Sequence, residues 1–366
     1  MKILYVTTVG MTMGFFTSLI KELTDQGHTV DIATNTQEYP VPQIYDSLAG
    51  HIYEVPFSRA GLNLQNIKTI KTLKKIVENG EYDVVHCHTP NAAVSTRFAC
   101  KKLRKKGLKV IYTAHGFHFY KGAPLKNWIF YPFEKICARW TDLMITINKD
   151  DHAFALEKFK KTNVTYIPGV GIDTAFFRET VIDRDSKRTE LGIPKDCFAV
   201  LSVGEINANK NHASVIRALA DLKDSSIHYL IAGKGPLTED LTALSEQLGI
   251  SSNVHLLGYR NDVNELYKAA DIFALPSLRE GLNVSVMEAL ASGLPVICSD
   301  IRGNRDMVRN GQNGYLFMPN DPASIIEAIN KVRKNSISAE ECRISAMPYD
   351  RSIINKEMLR IYSSIR

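Results

Sequence analysis

Apolar positions in this chain fall into short, nearly continuous runs that alternate with stretches where they recur every three or four residues. The first run is Ile3-Leu4-Tyr5-Val6. Beyond the loop 8–14, Phe16, Leu19, Ile20 and Leu23 share one helical face that stops at Gly27, and 29–33 is apolar again. Short runs bounded by turns read as buried strands, and the three-and-four spacing reads as amphipathic helix. The pattern continues through a helix striped by Leu64, Ile67, Ile70, Leu73 and Val77 and a strand at 83–86. A helix over 92–106, a strand at 109–113, an aromatic helical stretch from Trp128 to Trp140 and strands at 143–147 and 164–168 follow. Residues 182–194 are polar and charged and read as a linker. A second set of strands then occupies 198–204, 229–232, 254–257, 272–275, 296–299 and 315–317. The chain ends in a helix over 349–366 with Ile353, Ile354, Met358, Ile361 and Tyr362 as apolar positions.

Strands that are apolar on both faces, each followed by a helix, imply parallel sheets covered on both sides, hence an α/β protein. The 366 residues exceed one core and suit two doubly wound domains. The pattern assigns 1–181 to a first domain, 182–194 to the linker, 195–347 to a second domain, and 348–366 to a helix that crosses back onto the first.

Composition narrows the function. The 45% hydrophobic and 23% charged content is that of a soluble globular chain. Six scattered cysteines without a Cys-x-x-Cys pair read as reduced core residues of a cytosolic protein, not a disulfide frame or metal site. Thr7, Thr8 and Thr12 interrupt the first apolar run, which argues for a strand over a signal peptide. No run approaches the ~20 apolar residues of a membrane span. Residues 1–180 hold 23 Lys and Arg against 16 Asp and Glu, and the remainder 22 against 23, so the basicity belongs to the first half. It suits an anionic membrane surface or a phosphate-bearing acceptor, or is simply a soluble basic surface.

The candidate chemistry centres on Glu280-Gly281-Leu282-Asn283-Val284-Ser285-Val286-Met287-Glu288, between a strand ending at Pro276 and a helix stopping at Gly293. A loop and helix start at a parallel-sheet strand end offer free N–H groups to a phosphate, and carboxylates accept from sugar hydroxyls. Two isolated glutamates are more often solvated, but Val284, Val286, Met287, Leu290 and Ala291 surround Glu288 and turn it towards a crevice. Lys210 follows the first strand of the second set at a helix start, where a cation is disfavoured unless an anion sits nearby. Gly14 in the first loop allows close approach to a helix start, or is an ordinary turn glycine. His115 ends a strand and suits a sugar hydroxyl, a phosphate or proton transfer; a lone histidine is more often structural. His86, His88, His115 and His118 lack metal-site spacing, so no metal is assigned. Gly169-Val170-Gly171 and Gly233-Lys234-Gly235 lack the third glycine of a dinucleotide fingerprint, and Asp183-Arg184-Asp185 lies in the linker. No P-loop or nucleophile elbow occurs, and nothing points to nucleic acid.

Together, in this order, these residues resemble the retaining glycosyltransferases of family 4, in the branch that builds bacterial capsule, exopolysaccharide and related surface glycans. The resemblance rests on Glu280 through Glu288, Lys210, Ala232–Pro236, Gly258–Val263, Gly311–Gly314, Thr113–His118 and Ile167–Asp173, and covers nearly the whole chain. It implies a GT-B fold, two Rossmann-like domains facing across a cleft. It assigns Glu280 to the hexose hydroxyls, Glu288 to the ribose, and Gly281, Leu282, Asn283, Val284 and Lys210 to the diphosphate. Tyr259 and Arg260 then face the base, Gly14 lines the donor site and His115 lies near the transferred sugar. The implied donor is a nucleotide-sugar co-substrate, with UDP as carrier and no cofactor. The implied acceptor is a polyprenyl-diphosphate-linked saccharide, met by a cytoplasmic protein held peripherally on the inner membrane face. Many members carry arginine where this chain has Glu205, which leaves the diphosphate to Lys210 and backbone amides. A nucleotide-sugar epimerase or hydrolase, and a non-catalytic nucleotide-sugar-binding partner of another transferase, share the donor contacts.

Overall fold

A computed structural model describes residues 1–37, 39–58 and 65–365. Leu64 of the expected helical stripe lies outside them. The chain forms two compact units: Met1–Gly171 together with Arg351–Arg366, and Ile172–Asp350.

In the first unit, seven parallel strands run in the order β3-β2-β1-β4-β5-β6-β7. They are β1 (Lys2–Val9), β2 (Thr29–Asn35), β3 (Ile52–Glu54), β4 (Val84–His88), β5 (Lys109–Ala114), β6 (Leu143–Thr146) and β7 (Asn163–Tyr166). All of β1 after Lys2 is buried, as a strand covered by helices on both faces must be. Helix Thr17–Asp25 buries Leu19, Ile20 and Leu23, and Phe16 is buried just before it. The last helix, Arg351–Ser364, packs Ile354, Met358 and Tyr362 into the same cluster.

In the second unit, six parallel strands run in the order β10-β9-β8-β11-β12-β13. They are β8 (Phe198–Val203), β9 (Ile227–Ala232), β10 (Val254–Gly258), β11 (Ile272–Leu275), β12 (Val296–Ser299) and β13 (Gly314–Phe317). Each sheet therefore reverses its direction of growth once, between β1 and β4 and between β8 and β11. Ligands of doubly wound sheets bind outside the strand carboxyl ends at that reversal.

The unit boundary differs from the expected one. Residues 172–181 join the second unit because Ile172 N donates to Tyr349 O, Thr174 Oγ1 donates to Asp350, and Phe177 packs edge-on against Tyr267. The stretch 182–194 is not a loose linker. It holds helix Arg184–Glu190, and the buried Arg188 donates to Ala269 O, Cys197 O and Asp271. Its charges serve fixed internal partners, which composition alone cannot distinguish from solvated ones. The expected helix 92–106 ends at Cys100, and a 3-10 turn Leu103–Lys106 closes on Gly107 at φ +104°. All six cysteines are buried as free thiols.

Candidate functional site

At the reversal point of the second unit, the loops after β8 and β11 are tied together. Leu278 N donates to Asn209 O (2.8 Å), and Asn209 Nδ2 donates to Arg279 O (2.9 Å). This clamp brings Lys210 Nζ to 2.8 Å from Glu280 Oε1, with the side chains 17% and 13% exposed. The lysine stem lies over Gly204, where a Cβ would approach Lys210 Cε to 3.3 Å. Asn283 then caps helix Val284–Ala291, its side chain accepting from Val286 N. The other first-turn amides are left facing the loop, with the positive end of the helix behind them. Leu282 and Asn283 are buried, and Gly281 and Val284 half-buried. Behind the loop, Gly303 at φ +78° approaches so closely that a Cβ there would lie 2.1 Å from Gly281 O. The glycine loop is thus held from both sides, with one cation, one carboxylate and a helix start at its mouth.

The equivalent point of the first unit is built from neutral rings. His115 Nε2 lies 3.1 Å from His88 Nδ1. The His88 ring is 4.1 Å from that of His86, centroid to centroid. His86 hydrogen-bonds Thr113 Oγ1 (2.8 Å) and Tyr362 of the last helix (2.6 Å), whose hydroxyl donates to Tyr5. Desolvation pushes His86 down to about 3 and His115 to about 4, and lowers His88 as well, so all three are uncharged at neutral pH. Beside them Thr89 adopts φ +61°, an uncommon conformation for a β-branched residue, and its hydroxyl lies 2.6 Å from that of Thr8. Strain of this kind persists where surrounding structure enforces it, and it collects at ligand sites.

The comparisons with known proteins agree with this arrangement. The family described as "Glycosyltransferase Family 4" matches residues 15–176, and "Glycosyl transferases group 1" matches 183–347. EpsD of Bacillus subtilis (strain 168), designated a glycosyltransferase, is 35% identical over 99% of this chain and 96% of its own length. The chain belongs to glycosyltransferase family 4, in its exopolysaccharide branch. The UDP-Gal:alpha-D-GlcNAc-diphosphoundecaprenol alpha-1,3-galactosyltransferase of Escherichia coli is 29% identical over 76% of this chain and 74% of its own. The Anabaena Alr3699/HepE structure in complex with UDP and glucose superposes with a TM-score of 0.81 at 20% identity, covering all of both chains, which establishes the GT-B fold.

Other residues of this glycosyltransferase are engaged within their own units. Glu288 is half-buried and accepts a 2.8 Å hydrogen bond from the buried Tyr267 hydroxyl. Burial and the Glu288 charge hold that phenol well above its usual range. Arg260 donates to both Asp262 oxygens and to Glu190, and that hydrogen bonding draws the Asp262 carboxyl down to about 2. Its guanidinium is therefore committed to Asp262 and to Glu190 at the end of helix Arg184–Glu190, while Tyr259 beside it is 71% exposed. Gly14 is exposed in the 3-10 turn Gly10–Phe16 after β1, and Glu205 is exposed after β8. Sequence reasoning missed Tyr267, Thr89 and Tyr362. Tyr267 and Tyr362 act across 21 and 276 residues, and no local spacing marks such a pair. Thr89 left one usable signal, the proline that follows it at a strand end.

Proposed function

We propose that this glycosyltransferase moves a hexose or N-acetylhexosamine from a UDP-sugar to a saccharide carried on polyprenyl diphosphate, with retention at the anomeric carbon. The observation that carries the reading is the Lys210–Glu280 pair at the mouth of the glycine loop. One group is a cation for the diphosphate and the other a carboxylate for the sugar hydroxyls, fixed together at the switch point. Glu288, oriented by Tyr267, takes the ribose hydroxyls, and Tyr259 lies by the base. His115, neutral and joined to His88, takes a hydroxyl of the transferred sugar.

The bond from the anomeric carbon to the diphosphate oxygen lengthens first, and the charge gathering on that oxygen is met by Lys210 and the helix-start amides without a metal. The acceptor oxygen forms its bond on the same face, and its proton passes to the departing phosphate oxygen. The double-displacement alternative needs a carboxylate on the opposite face, and no residue is assigned to that role. The E. coli relative supports the reading by its name, which gives a UDP-sugar, a diphosphoundecaprenol acceptor and an α product. Among the described residues no helix is long and apolar enough to cross a membrane. The lipid-linked acceptor in that relative's name supports a place for this enzyme on the cytoplasmic membrane face.

The test is a panel of nucleotide sugars screened for thermal stabilisation, followed by transfer to a lipid-linked saccharide and determination of the new linkage. One UDP-sugar should raise the melting temperature most and yield an extended acceptor with the donor's anomeric configuration. An inverted product, or free sugar without acceptor extension, overturns the proposal.

A further inference from the structure

Two helices of the first unit end in basic residues. Helix Tyr131–Ala138 runs into Arg139, and helix Lys149–Lys158 runs into Phe159-Lys160-Lys161-Thr162. They lead to the amino ends of β6 and β7, which pair with each other and so bring the two helix ends side by side. Between them lies a cavity of about 350 Å³, within the roughly 300–1,000 Å³ common for small-molecule sites. Lys135, Arg139, Lys158, Lys160 and Lys161 line it, with Glu157 as the one acid of the lining. Its floor and frame are fixed. Ala138 and Phe159 are each 3% exposed, and the rings of Tyr131 and Phe159 stack at 28°. Thr162 Oγ1 donates to Ala138 O (2.5 Å), which ties one wall to the other, and Arg104 Nη1 donates to Arg139 O (2.9 Å).

Helix ends explain only part of this charge. A cation in a last turn complements the helix dipole, which accounts for Lys135 and Lys158. Glu157 pairs with Lys158, and its field reaches Lys160. Among the described residues no carboxylate forms an ion pair with Lys135, Arg139, Lys160 or Lys161. Like charges around one volume repel, and an anion placed among them turns that repulsion into attraction. The cavity also lies apart from the histidine pair. His115 follows the carboxyl end of β5, whereas the cavity sits at the amino ends of β6 and β7, the opposite edge of a parallel sheet. We propose that this cavity binds an organic phosphate of the phosphoglycerol kind, either free in solution or as the headgroup of an anionic phospholipid. Arg139 meets the phosphate oxygens as a planar fork and the lysines as point charges. The carbon part of the ligand lies over Ala138 and Phe159, for which a cavity of this volume leaves room beside the phosphate. No residue of the glycine loop takes part, so the site stands whether or not the proposed donor chemistry does.

The probes are sn-glycerol 3-phosphate, titrated calorimetrically into the full-length protein with glycerol as the uncharged control, and flotation with phosphatidylglycerol vesicles against phosphatidylcholine vesicles. Glycerol 3-phosphate should bind where glycerol does not if the ligand is a free metabolite. Flotation on phosphatidylglycerol alone, without binding of the soluble phosphate, identifies the lipid headgroup as the source. In either case Lys160→Gln with Lys161→Gln should weaken binding by about tenfold, through the loss of charge-assisted hydrogen bonds. Lys71→Gln with Lys75→Gln removes the same charge from exposed positions of helix Gln65–Gly80 and should leave binding unchanged. Arg139→Gln alone should weaken binding severalfold, and serves if the double variant loses its native melting temperature. UDP binding should be the same in all of these variants. Wild type that binds neither probe, or equal losses in the two double variants, overturns the proposal, because the basic surface would then act only through its overall charge.

Discussion

The contact between Lys210 and Glu280 predicts opposite effects on two ligands from one substitution. At the 2.8 Å separation of Nζ and Oε1, two unit charges attract by about 6 kcal/mol gross at an effective dielectric of ~20. Water reaches both groups in part, and hydration and side-chain entropy offset most of that attraction, leaving about 1 kcal/mol net. A diphosphate arriving at Lys210 must compete with Glu280 for the ammonium. Glu280→Gln removes the competing charge and keeps an oxygen in place, so UDP alone should bind more tightly, by about fivefold for ~1 kcal/mol. The intact UDP-sugar should behave in the opposite way. Its hydroxyls lose charge-assisted hydrogen bonds worth ~1.5–3 kcal/mol, so turnover at saturating donor should fall by roughly ten- to a hundredfold. Lys210→Met has no such split and should weaken UDP and UDP-sugar alike, by about the same factor. Titration calorimetry with UDP and initial rates with the UDP-sugar measure both arms. A Glu280→Gln protein of near-native melting temperature that binds UDP no better than wild type would refute the reasoning, because Glu280 would then not restrain a phosphate-binding lysine.

Other residues give shorter predictions. Tyr267→Phe removes the hydroxyl that Glu288 accepts from, at a cost of about 1 kcal/mol, or roughly 2–4 °C in the melting of a unit this size. UDP should then stabilise the variant less than wild type, and an equal ligand-induced shift would count against Glu288 as the ribose partner. Gly303→Ala places a Cβ 2.1 Å from Gly281 O at φ +78°. The left-handed backbone alone costs ~1–2 kcal/mol, and UDP affinity should fall more than that stability loss accounts for, read by calorimetry beside a melting curve. Arg97→Met strands Glu134 in the core, for about 3–5 kcal/mol by chemical denaturation, and adding Glu134→Leu should restore most of it. The clustered histidines, His86 and His88 buried and His115 half-buried, set a pH dependence. His86 and His115 hold folded values of about 3 and 4, whereas the unfolded chain takes up these protons near 6.5. The unfolded state therefore binds more protons below that pH, and stability falls as the pH drops from about 6.5 towards 4, by up to ~1.4 kcal/mol per pH unit for each ring. A melting temperature that stays level between pH 7 and 5 would contradict this.

The two-sheet architecture was legible because each strand is a short apolar run and each helix a spaced stripe, both local patterns. β11 and β12 follow the expected 272–275 and 296–299 residue for residue. Edge strand β3 was not legible, since only three half-exposed or exposed residues form it. The candidate residues of the glycine loop could be named because their chemistry sits in one contiguous stretch plus one lysine. What they touch could not be, since Lys210 meets Glu280 across 70 residues and His86 meets Tyr362 across 276. The aromatic stretch 128–140 illustrates the same division. Its composition allowed either core or surface. In the structure Trp128 and Tyr131 pack against Phe119, Ile129 and Phe133 face solvent, and Trp140 stacks edge-on with Phe98. One segment serves both purposes because a 3-10 turn over Leu125–Phe130 leads into the helix Tyr131–Ala138 and changes which positions point inward.

The two reversal points share a topology and differ in electrostatics, and under the proposed function that difference follows from the work each would do. A departing diphosphate carries concentrated negative charge, so its site needs a cation held ready and an oriented helix start, as at Lys210 and Asn283. A cation so largely withdrawn from water would be costly alone, and Glu280 offsets that cost in the ligand-free protein. A hydroxyl carries no net charge, and a charged histidine facing it would instead attract phosphate. Desolvation beside His88 and Phe16 keeps His115 neutral, so in the proposed reaction its ring would offer a nitrogen to a hydroxyl without competing for the diphosphate.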